Sequence, residues 1–308
     1  MDIGKLKHRR LFITIGIIVL IYLLFLIYNN INLTPKREYV YYKEFKINNY
    51  SLNYDCEIIK GAEPIFINKK SKEVVLLLHG LGGTPVELKE LAYYLEENNF
   101  SVVVPLLKYQ GRRYEDIKQL DGDEIYNEIS EIVDVLKQDY KEVYVGGLSS
   151  GGLLSLKLAE EKDLDGVISL AAPMTFGANF LGDSTVYFFK ISKYLTPSFR
   201  RIKYGLARNM SIDKILPSFD RLPVKALLED EFLKKEVKNN LIKISEPILI
   251  VQSDWDNRAA PSSANYIYSH VSSSNKEILW LNNSGHVITM DYDKQIVFVR
   301  ITEFIKNN

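Results

Sequence analysis

The chain contains a single cysteine, Cys56, among its 308 residues. One cysteine excludes an internal disulfide and any metal site built from cysteine ligands. We expect Cys56 to be a small buried apolar residue rather than a nucleophile. An excess of one charge sign is also lacking, because 39 Lys and Arg residues balance 39 Asp and Glu residues. This balance leaves no electrostatic footprint for nucleic acid, so a nucleic-acid partner is not expected.

A long uncharged run near the N-terminus is unusual for a globular protein. Residues 11–28 carry no charged side chain, and as a helix they would span about 27 Å, close to the thickness of a hydrocarbon core. Basic residues in 1–10 precede the run, which favours a cytoplasmic N-terminus. A cleaved signal peptide is the alternative, but no A-x-A pattern follows the run. The sequence therefore predicts a single-pass membrane anchor at 11–28, a polar stalk at 29–60 and an extracytoplasmic domain at 61–308.

Short apolar runs alternate with amphipathic helical patterns from residue 74 onward. This alternation is typical of a parallel sheet with helices on both faces, which is an α/β fold. The alternation of strand and helix patterns is interrupted between residues 174 and 245, and we predict an inserted helical cap there. Aromatic side chains in this stretch either line a substrate pocket or pack between cap helices. The predicted strands are 74–78, 102–104, 143–145, 167–170, 248–251 and 278–281, with helices at 85–98, 124–138, 153–161, 225–242, 262–271 and 292–306.

The pentapeptide GLSSG at residues 147–151 lies between a strand pattern and a helix pattern. In that context a G-x-S-x-G motif holds a nucleophilic serine on a strained turn, which makes Ser149 the candidate nucleophile. The positions two before and two after must be nearly free of side chains, as Gly147 and Gly151 are. The turn directs Ser149 at the N-terminus of the following helix, where free N–H groups favour negative charge, and the Ser150 backbone N–H is one expected oxyanion donor. The alternative is a glycine-rich turn without chemistry.

Four histidines limit the choice of a general base. His8 lies in the basic flank, His270 lies inside a predicted helix, and His79 opens the loop after the first predicted strand of the sheet. His286 lies in a loop after the last predicted strand, where catalytic groups of parallel sheets belong. We therefore predict that His286 takes the proton of Ser149 and later protonates the leaving alcohol.

The acid that orients His286 is expected in the loop after the strand at 248–251. Asp256 is the preferred candidate because of its spacing to the following helix, and Asp254 is the alternative. Asp291 and Asp293 are more simply interpreted as residues at a helix N-terminus. The reacting groups then follow one another in the order serine, acid, histidine along the chain.

A second oxyanion donor is expected from the loop HGLGGTP at residues 79–85. Its glycines allow the backbone to approach a substrate closely, and Leu81 is the predicted donor. A mere tight turn is the alternative interpretation of this loop.

Together these motifs resemble those of the α/β-hydrolase superfamily, in particular small bacterial carboxylesterases and monoacylglycerol lipases. The resemblance implies a triad of Ser149, Asp256 and His286, oxyanion donors Leu81 and Ser150, a cap, and no cofactor or metal. The similar segments, which span about residues 61–306, are GAEP at 61–64, LLLHGLGGTP at 76–85, RYED at 113–116, GLSSGG at 147–152, PSSAN at 261–265 and NSGHVITMD at 283–291.

The sequence departs from the family pattern at three places. The usual Gly-His-Gly turn after the second strand of the sheet reads YQG here, with Gln110 at its centre. Ser150 stands where Met, Leu or Gln is common, which changes a side chain but not the N–H donor. Residues 1–60 add the apparent anchor and stalk.

The expected function is a serine carboxylester hydrolase acting on short- to medium-chain acyl esters, including monoacylglycerols. The expected partners are a small-molecule or lipid ester substrate and, through the N-terminal helix, a membrane. An envelope acyltransferase with the same triad is the alternative, because the acceptor can be an alcohol instead of water. A membrane-tethered binding protein on the hydrolase fold, without activity, is a further alternative.

Overall fold

The structure is a computed structural model that describes residues 37–175, 198–200, 206–212, 216–217, 219 and 221–308, together with Gly16, Leu20 and Leu23. Part of the predicted cap at 174–245 therefore lies outside the described residues. The described strands are β1 (Tyr39–Ile47), β2 (Tyr50–Ile59), β3 (Ile65–Ile67), β4 (Glu73–Leu78), β5 (Ser101–Val104), β6 (Glu142–Leu148), β7 (Gly166–Leu170), β8 (Ser198–Arg200), β9 (Arg221–Pro223), β10 (Ile248–Ser253) and β11 (Lys276–Leu281).

The described helices alternate with these strands through most of the chain. They are α1 (Lys89–Glu97), α2 (Tyr114–Ile117), α3 (Gly122–Asp139), α4 (Ser150–Glu161), α5 (Val224–Asn240), α6 (Ser262–His270) and α7 (Lys294–Lys306), with short 3₁₀ turns at Pro85–Leu88 and Leu241–Lys243. Each helix predicted from the sequence has a counterpart, with ends shifted by up to four residues.

Seven strands form the central sheet in the order β11-β10-β7-β6-β4-β5-β3. Every neighbouring pair is parallel except β3 and β5, which are antiparallel. All six predicted strands are present in this sheet, so the predicted α/β fold with a mostly parallel sheet is confirmed. Because the sheet is parallel, the loops after β4, β6, β10 and β11 lie at its carboxyl edge, where the predicted site residues are found.

The apolar character of β4 follows from its two covered faces. Val74, Leu76 and Leu78 belong to a core formed with α3 and α4, whereas Val75 and Leu77 belong to a second core formed with α1 and α7. Successive side chains of a strand point to opposite faces, so each position from Val74 to Leu78 faces one of the two cores and is apolar.

Residues 39–59 form an antiparallel hairpin from β1 and β2. Ile47 and Ile58 are fully buried in the same core as α3. The hairpin is also tied to the domain by hydrogen bonds from the Tyr54 hydroxyl to the Leu106 carbonyl at 2.8 Å and from the Asn48 amide to Asp139 at 2.8 Å. This part of the predicted stalk is therefore packed against the α/β domain.

The predicted single-pass localisation with an extracytoplasmic domain is wrong for the structure described here. Within the described residues, no helix is both long and apolar enough to cross a membrane. The longest of them, α3, has 18 residues, but it buries one apolar stripe and carries acidic side chains on its other face. The proposed anchor at 11–28 lies outside the described residues apart from the three positions given above.

The described part of the insertion contains strands as well as a helix. Helix α5 corresponds to the helix predicted at 225–242, and it packs against α4. The strands β8 and β9 pair in antiparallel orientation just before it, and the sequence did not predict them. A purely helical cap is therefore too simple a description of this region.

Candidate active site

Ser149 lies at the turn between β6 and α4, with φ of 58° and ψ of −120°. A positive φ is uncommon for a residue with a side chain and is maintained only where the surroundings enforce it. Here the Ser149 backbone N–H donates to the Leu170 carbonyl at 2.8 Å, which ties the turn to the neighbouring strand β7.

Close backbone contacts explain the glycines that flank Ser149. A Cβ atom on Gly147 would lie 2.2 Å from the carbonyl oxygen of Gly151. A Cβ atom on Gly151 would lie 2.0 Å from the carbonyl oxygen of Leu78, at the end of β4. Any side chain at either position would force the turn apart, so the G-x-S-x-G pattern is a steric requirement of this geometry.

The three predicted reacting groups form one hydrogen-bonded row. His286 Nε2 is 2.9 Å from the Ser149 hydroxyl oxygen, and His286 Nδ1 is 2.8 Å from an Asp256 carboxylate oxygen. A carboxylate only accepts, so Nδ1 carries the proton and Nε2 is left to accept from the serine hydroxyl. His286 is 6% exposed and Asp256 is 4% exposed, which shields the row from water.

The Asp256 carboxylate is held by further donors from its own loop. One oxygen accepts from the backbone N–H groups of Arg258 at 2.7 Å and Ala259 at 2.9 Å. The other accepts from the Gln252 side-chain amide at 3.1 Å as well as from His286. These bonds fix the carboxylate in place and satisfy its charge in a buried site.

The alternative candidates lie elsewhere. Asp254 is exposed. His79 is fully buried, and its Nε2 accepts from the Leu107 N–H at 3.1 Å. His270 is exposed on α6, with Nδ1 2.8 Å from the Tyr266 carbonyl, and His8 lies outside the described residues. Cys56, on β2, is half-buried, and burial raises the pKa of its thiol, which disfavours the nucleophilic thiolate.

Asp291 and Asp293 hold the loop that carries His286, a role the sequence analysis missed. Asp291 accepts from the Gly285 N–H at 2.7 Å, next to the histidine. Asp293 accepts from the Asn283 N–H and from the Ser284 hydroxyl, both at 2.9 Å. Both aspartates are buried. They act on His286 through the backbone of its loop.

Leu81 and Ser150, the predicted oxyanion donors, line the same pocket. Ser149, Asp256 and His286 are not among its lining residues, so the pocket adjoins the triad through Ser150. Ser150 is the first residue of α4, where backbone N–H groups have no partner one turn earlier in the helix. Leu81 lies in the loop after β4, between two glycines whose N–H groups are held by side chains.

Those two side chains are Gln110 and Glu87, and the sequence analysis assigned neither of them to the site. The Gly82 N–H donates to the Gln110 side-chain oxygen at 2.6 Å, and the Gly80 N–H donates to Glu87 at 3.2 Å. Both side chains are buried. Gln110 stands at the centre of the YQG departure from the family motif, which was the one signal in the sequence.

The pocket has a cavity volume of about 90 Å³, and about 600 Å³ when the open space at its mouth is included. Its apolar lining comes from α3, α4, α5 and the loop after β4, and includes Ile125, Leu154 and Leu233. Asp230 also lines the pocket. Burial raises the pKa of Asp230 to about 6, although a hydrogen bond from Ser150 acts to lower it.

Among the described residues, no cluster of three or more His, Cys, Asp or Glu side chains is placed to hold a metal ion.

The sheet order, the serine at the strand-to-helix turn and the Asp–His–Ser row are those of an α/β hydrolase. The chain belongs to the hydrolase family described as "Serine aminopeptidase, S33", which matches residues 69–293. The resemblance inferred from the motifs is thereby confirmed.

Individual relatives are esterases and lipases. A thermostable monoacylglycerol lipase from Bacillus sp. (strain H-257) is 32% identical over 248 residues, 80% of this chain and 95% of that protein. A carboxylesterase from Bacillus subtilis (strain 168) is 27% identical over 242 residues, 78% of this chain and 95% of that protein. The solved structure from the study of the metagenome-derived lipolytic enzymes LipS and LipT has the same fold, with a TM-score of 0.75 at 23% identity over 82% of this chain and 100% of that chain. The predicted enzyme class, a carboxylic ester hydrolase, is confirmed.

Proposed function

We propose that the protein hydrolyses short- to medium-chain acyl esters, monoacylglycerols among them, through an acyl-enzyme on Ser149. The observation that carries this proposal is the row in which His286 bridges Ser149 at 2.9 Å and Asp256 at 2.8 Å. These are the separations at which a base can remove a hydroxyl proton and a carboxylate can hold the base in the right tautomer.

In the first half-reaction the Ser149 oxygen attacks the ester carbonyl carbon as its proton moves to His286 Nε2. The tetrahedral intermediate collapses, the bond to the alkoxy oxygen breaks, and the leaving alcohol takes the proton from His286. In the second half-reaction a water molecule gives a proton to His286 and attacks the acyl carbon. The carboxylic acid leaves and Ser149 regains its proton.

The negative charge of each tetrahedral intermediate needs fixed donors on the carbonyl oxygen. The backbone N–H groups of Leu81 and Ser150 fit this role. Ser150 follows Ser149 directly, and Leu81 follows Gly80, on which a Cβ atom would lie 3.3 Å from that of Ser149. Their donors are fixed by the loop contacts of Gln110 and Glu87 and by the start of α4, so little reorganisation is needed when the charge forms.

The substrate class is supported by the pocket and by the relatives. The pocket beside Ser150 has apolar walls suited to an acyl chain. The Bacillus sp. relative, named as a monoacylglycerol lipase, is similar over nearly its whole length.

The test is the Ser149→Ala variant of the full chain, assayed on p-nitrophenyl esters of two to sixteen carbons and on monoacylglycerols. We expect kcat to fall on the order of a million-fold, because the serine and histidine act as one unit. Ser269→Ala is the matched control, since Ser269 is exposed on α6. Equal turnover by wild type and Ser149→Ala on every ester would contradict the proposal. Added glycerol separates hydrolysis from acyl transfer, because transfer yields a glyceride.

A further inference from the structure

The pocket beside the oxyanion donors extends along α4. Ser150, Leu154 and Lys157 all line it, and their spacing of four and three residues places them on one face of the helix. The seven residues from Ser150 to Lys157 correspond to about 10 Å along the helix axis. The pocket therefore has one end at the oxyanion site and another about two helical turns away.

Helix α5 also lines the pocket, with three residues spaced three apart. Asp230, Leu233 and Glu236 line the pocket from this side. The Ser150 side chain hydrogen-bonds Asp230 at the near end, and the Lys157 ammonium contacts Glu236 at 2.6 Å at the far end. The two helices thus run alongside the pocket in the same direction, and each step away from Ser150 on α4 is matched by a step on α5.

The far end is lined by an ion pair as well as by apolar side chains. The side chain of Lys157 is only 8% exposed, whereas that of its partner Glu236 is 50% exposed. The Lys157 ammonium also contacts Glu161 at 3.1 Å. The ammonium lies 4.5 Å from the centre of the Tyr126 ring, which adds a cation–π contact. Burial alone would lower the pKa of Lys157, but Glu236 and Glu161 raise it above its ordinary value, so the Lys157 ammonium stays charged.

An apolar chain end meets opposite conditions along this path. Next to Leu154 and Leu233 it replaces water against apolar surface, which is favourable. At Lys157 and Glu236 it would have to displace the hydration of the half-exposed Glu236 carboxylate or separate that carboxylate from the buried Lys157 ammonium. Leaving the buried ammonium without its partner is unfavourable. The gain in binding from each added methylene should therefore stop at the ion pair.

We propose that the Lys157–Glu236 ion pair is the end wall of the acyl pocket and sets the longest acyl chain that the enzyme accepts efficiently. This inference rests on the proposed function, in which the acyl group is carried by Ser149. It assigns a specificity role to two residues that lie away from the reacting atoms.

The test measures kcat/KM of the full chain on p-nitrophenyl esters from butanoyl to hexadecanoyl. In Lys157→Ala/Glu236→Ala the wall is removed and the pocket is longer. We expect the ratio of kcat/KM for the dodecanoyl ester to that for the butanoyl ester to rise at least about tenfold, since one or two methylenes bound in an apolar pocket have effects of that size. The control is Lys162→Ala/Asp134→Ala. It removes the ion pair between the Lys162 ammonium, just after the end of α4, and the Asp134 carboxylate, which are 2.7 Å apart and lie outside the pocket. Its chain-length profile should match that of the wild type.

A second variant guards against loss of folding. Lys157→Met/Glu236→Leu replaces the pair with apolar side chains of similar size, which proteins often tolerate well. A flexible methionine can yield to a longer chain, so the same ratio should rise here too. If either double variant is folded and active but keeps the wild-type chain-length profile, the inference is overturned. A wild-type protein without any Ser149-dependent turnover would instead overturn the proposed function, so the two failures are distinguishable.

Discussion

At the scale of single residues, the site depends on side chains that hold backbone groups in place. Gln110 is the clearest example, because it accepts from the Gly82 N–H at 2.6 Å while being 3% exposed. That bond fixes the peptide that follows Leu81, one of the two proposed oxyanion donors. A backbone donor contributes to catalysis only when its direction is fixed before the charge develops.

Replacing Gln110 should therefore impair the chemical step more than substrate binding. In Gln110→Leu the buried Gly82 N–H loses its acceptor, at a cost of about 1–3 kcal/mol. If that cost falls mainly on the transition state, kcat decreases by roughly 10- to 100-fold while KM changes little. Steady-state kinetics on a butanoyl ester measure both constants.

Gln110→Glu is the matched comparison, because its carboxylate retains an oxygen that can accept from Gly82. We expect it to recover much of the lost kcat. Equal kcat in Gln110→Leu and the wild type would mean that Gln110 does not position the loop. Equal losses in both variants would show that the amide, rather than the accepted hydrogen bond, matters.

At the scale of secondary structure elements, predictability followed the regularity of the side-chain pattern. The strand β4 was predictable because both its faces are buried and every position from Val74 to Leu78 is apolar. The hairpin of β1 and β2 could not be predicted from the sequence pattern, because the register of the two strands shifts between Tyr42 and Glu44. Such an irregularity changes which face the following residues point to, so polar and apolar residues no longer alternate along the strand.

The burial of the hairpin gives a test at this scale. Ile58 of β2 is fully buried in the core shared with α3. Truncating it in Ile58→Ala removes apolar contacts and leaves a cavity, so the free energy of unfolding should fall by about 2–5 kcal/mol. Urea denaturation followed by circular dichroism measures this change.

Lys43→Ala on β1 is the control, because Lys43 is exposed. We expect its effect to stay within about 0.5 kcal/mol. If Ile58→Ala lowers the free energy of unfolding no more than this control does, the hairpin does not contribute to the core. Residues 39–59 would then be better described as a stalk.

At the scale of the whole molecule, the sheet brings together groups that the sequence separates widely. Ser149 and His286 are 137 positions apart, yet their reacting atoms are 2.9 Å apart. The sequence could place these residues because each follows a recognisable strand pattern and the strands are parallel. It could not find Gln110, Asp291 or the Lys157–Glu236 pair, because their roles depend on which loops and helices become neighbours. The localisation prediction is wrong because no helix within the described residues is long and apolar enough to cross a membrane.

The pH dependence of global stability provides the last prediction, and it centres on Glu160 at the end of α4. This side chain is 9% exposed, and neither of its carboxyl oxygens has a hydrogen-bond partner within the described part of the chain. Burial raises its pKa from 4.5 to about 8, with nearby Lys157 lowering it and Glu236 raising it further. Near neutral pH the folded protein therefore holds a proton on Glu160 that the unfolded chain releases.

The sign of the effect follows from this difference in bound protons. Between pH 4.5 and 8 the unfolded state binds fewer protons at Glu160 than the folded state, so stability falls as pH rises through this window. Glu160→Gln cannot lose a proton. Its free energy of unfolding should equal or slightly exceed that of the wild type at pH 4.5, and the excess should grow to about 3 kcal/mol by pH 7. Urea denaturation at half-unit pH steps measures the difference, and Glu97→Gln, at an exposed position of α1, is the control that removes the same charge without a buried group. A Glu160→Gln excess that stays constant from pH 5 to 8 would mean that this carboxyl group is ionised in the folded protein.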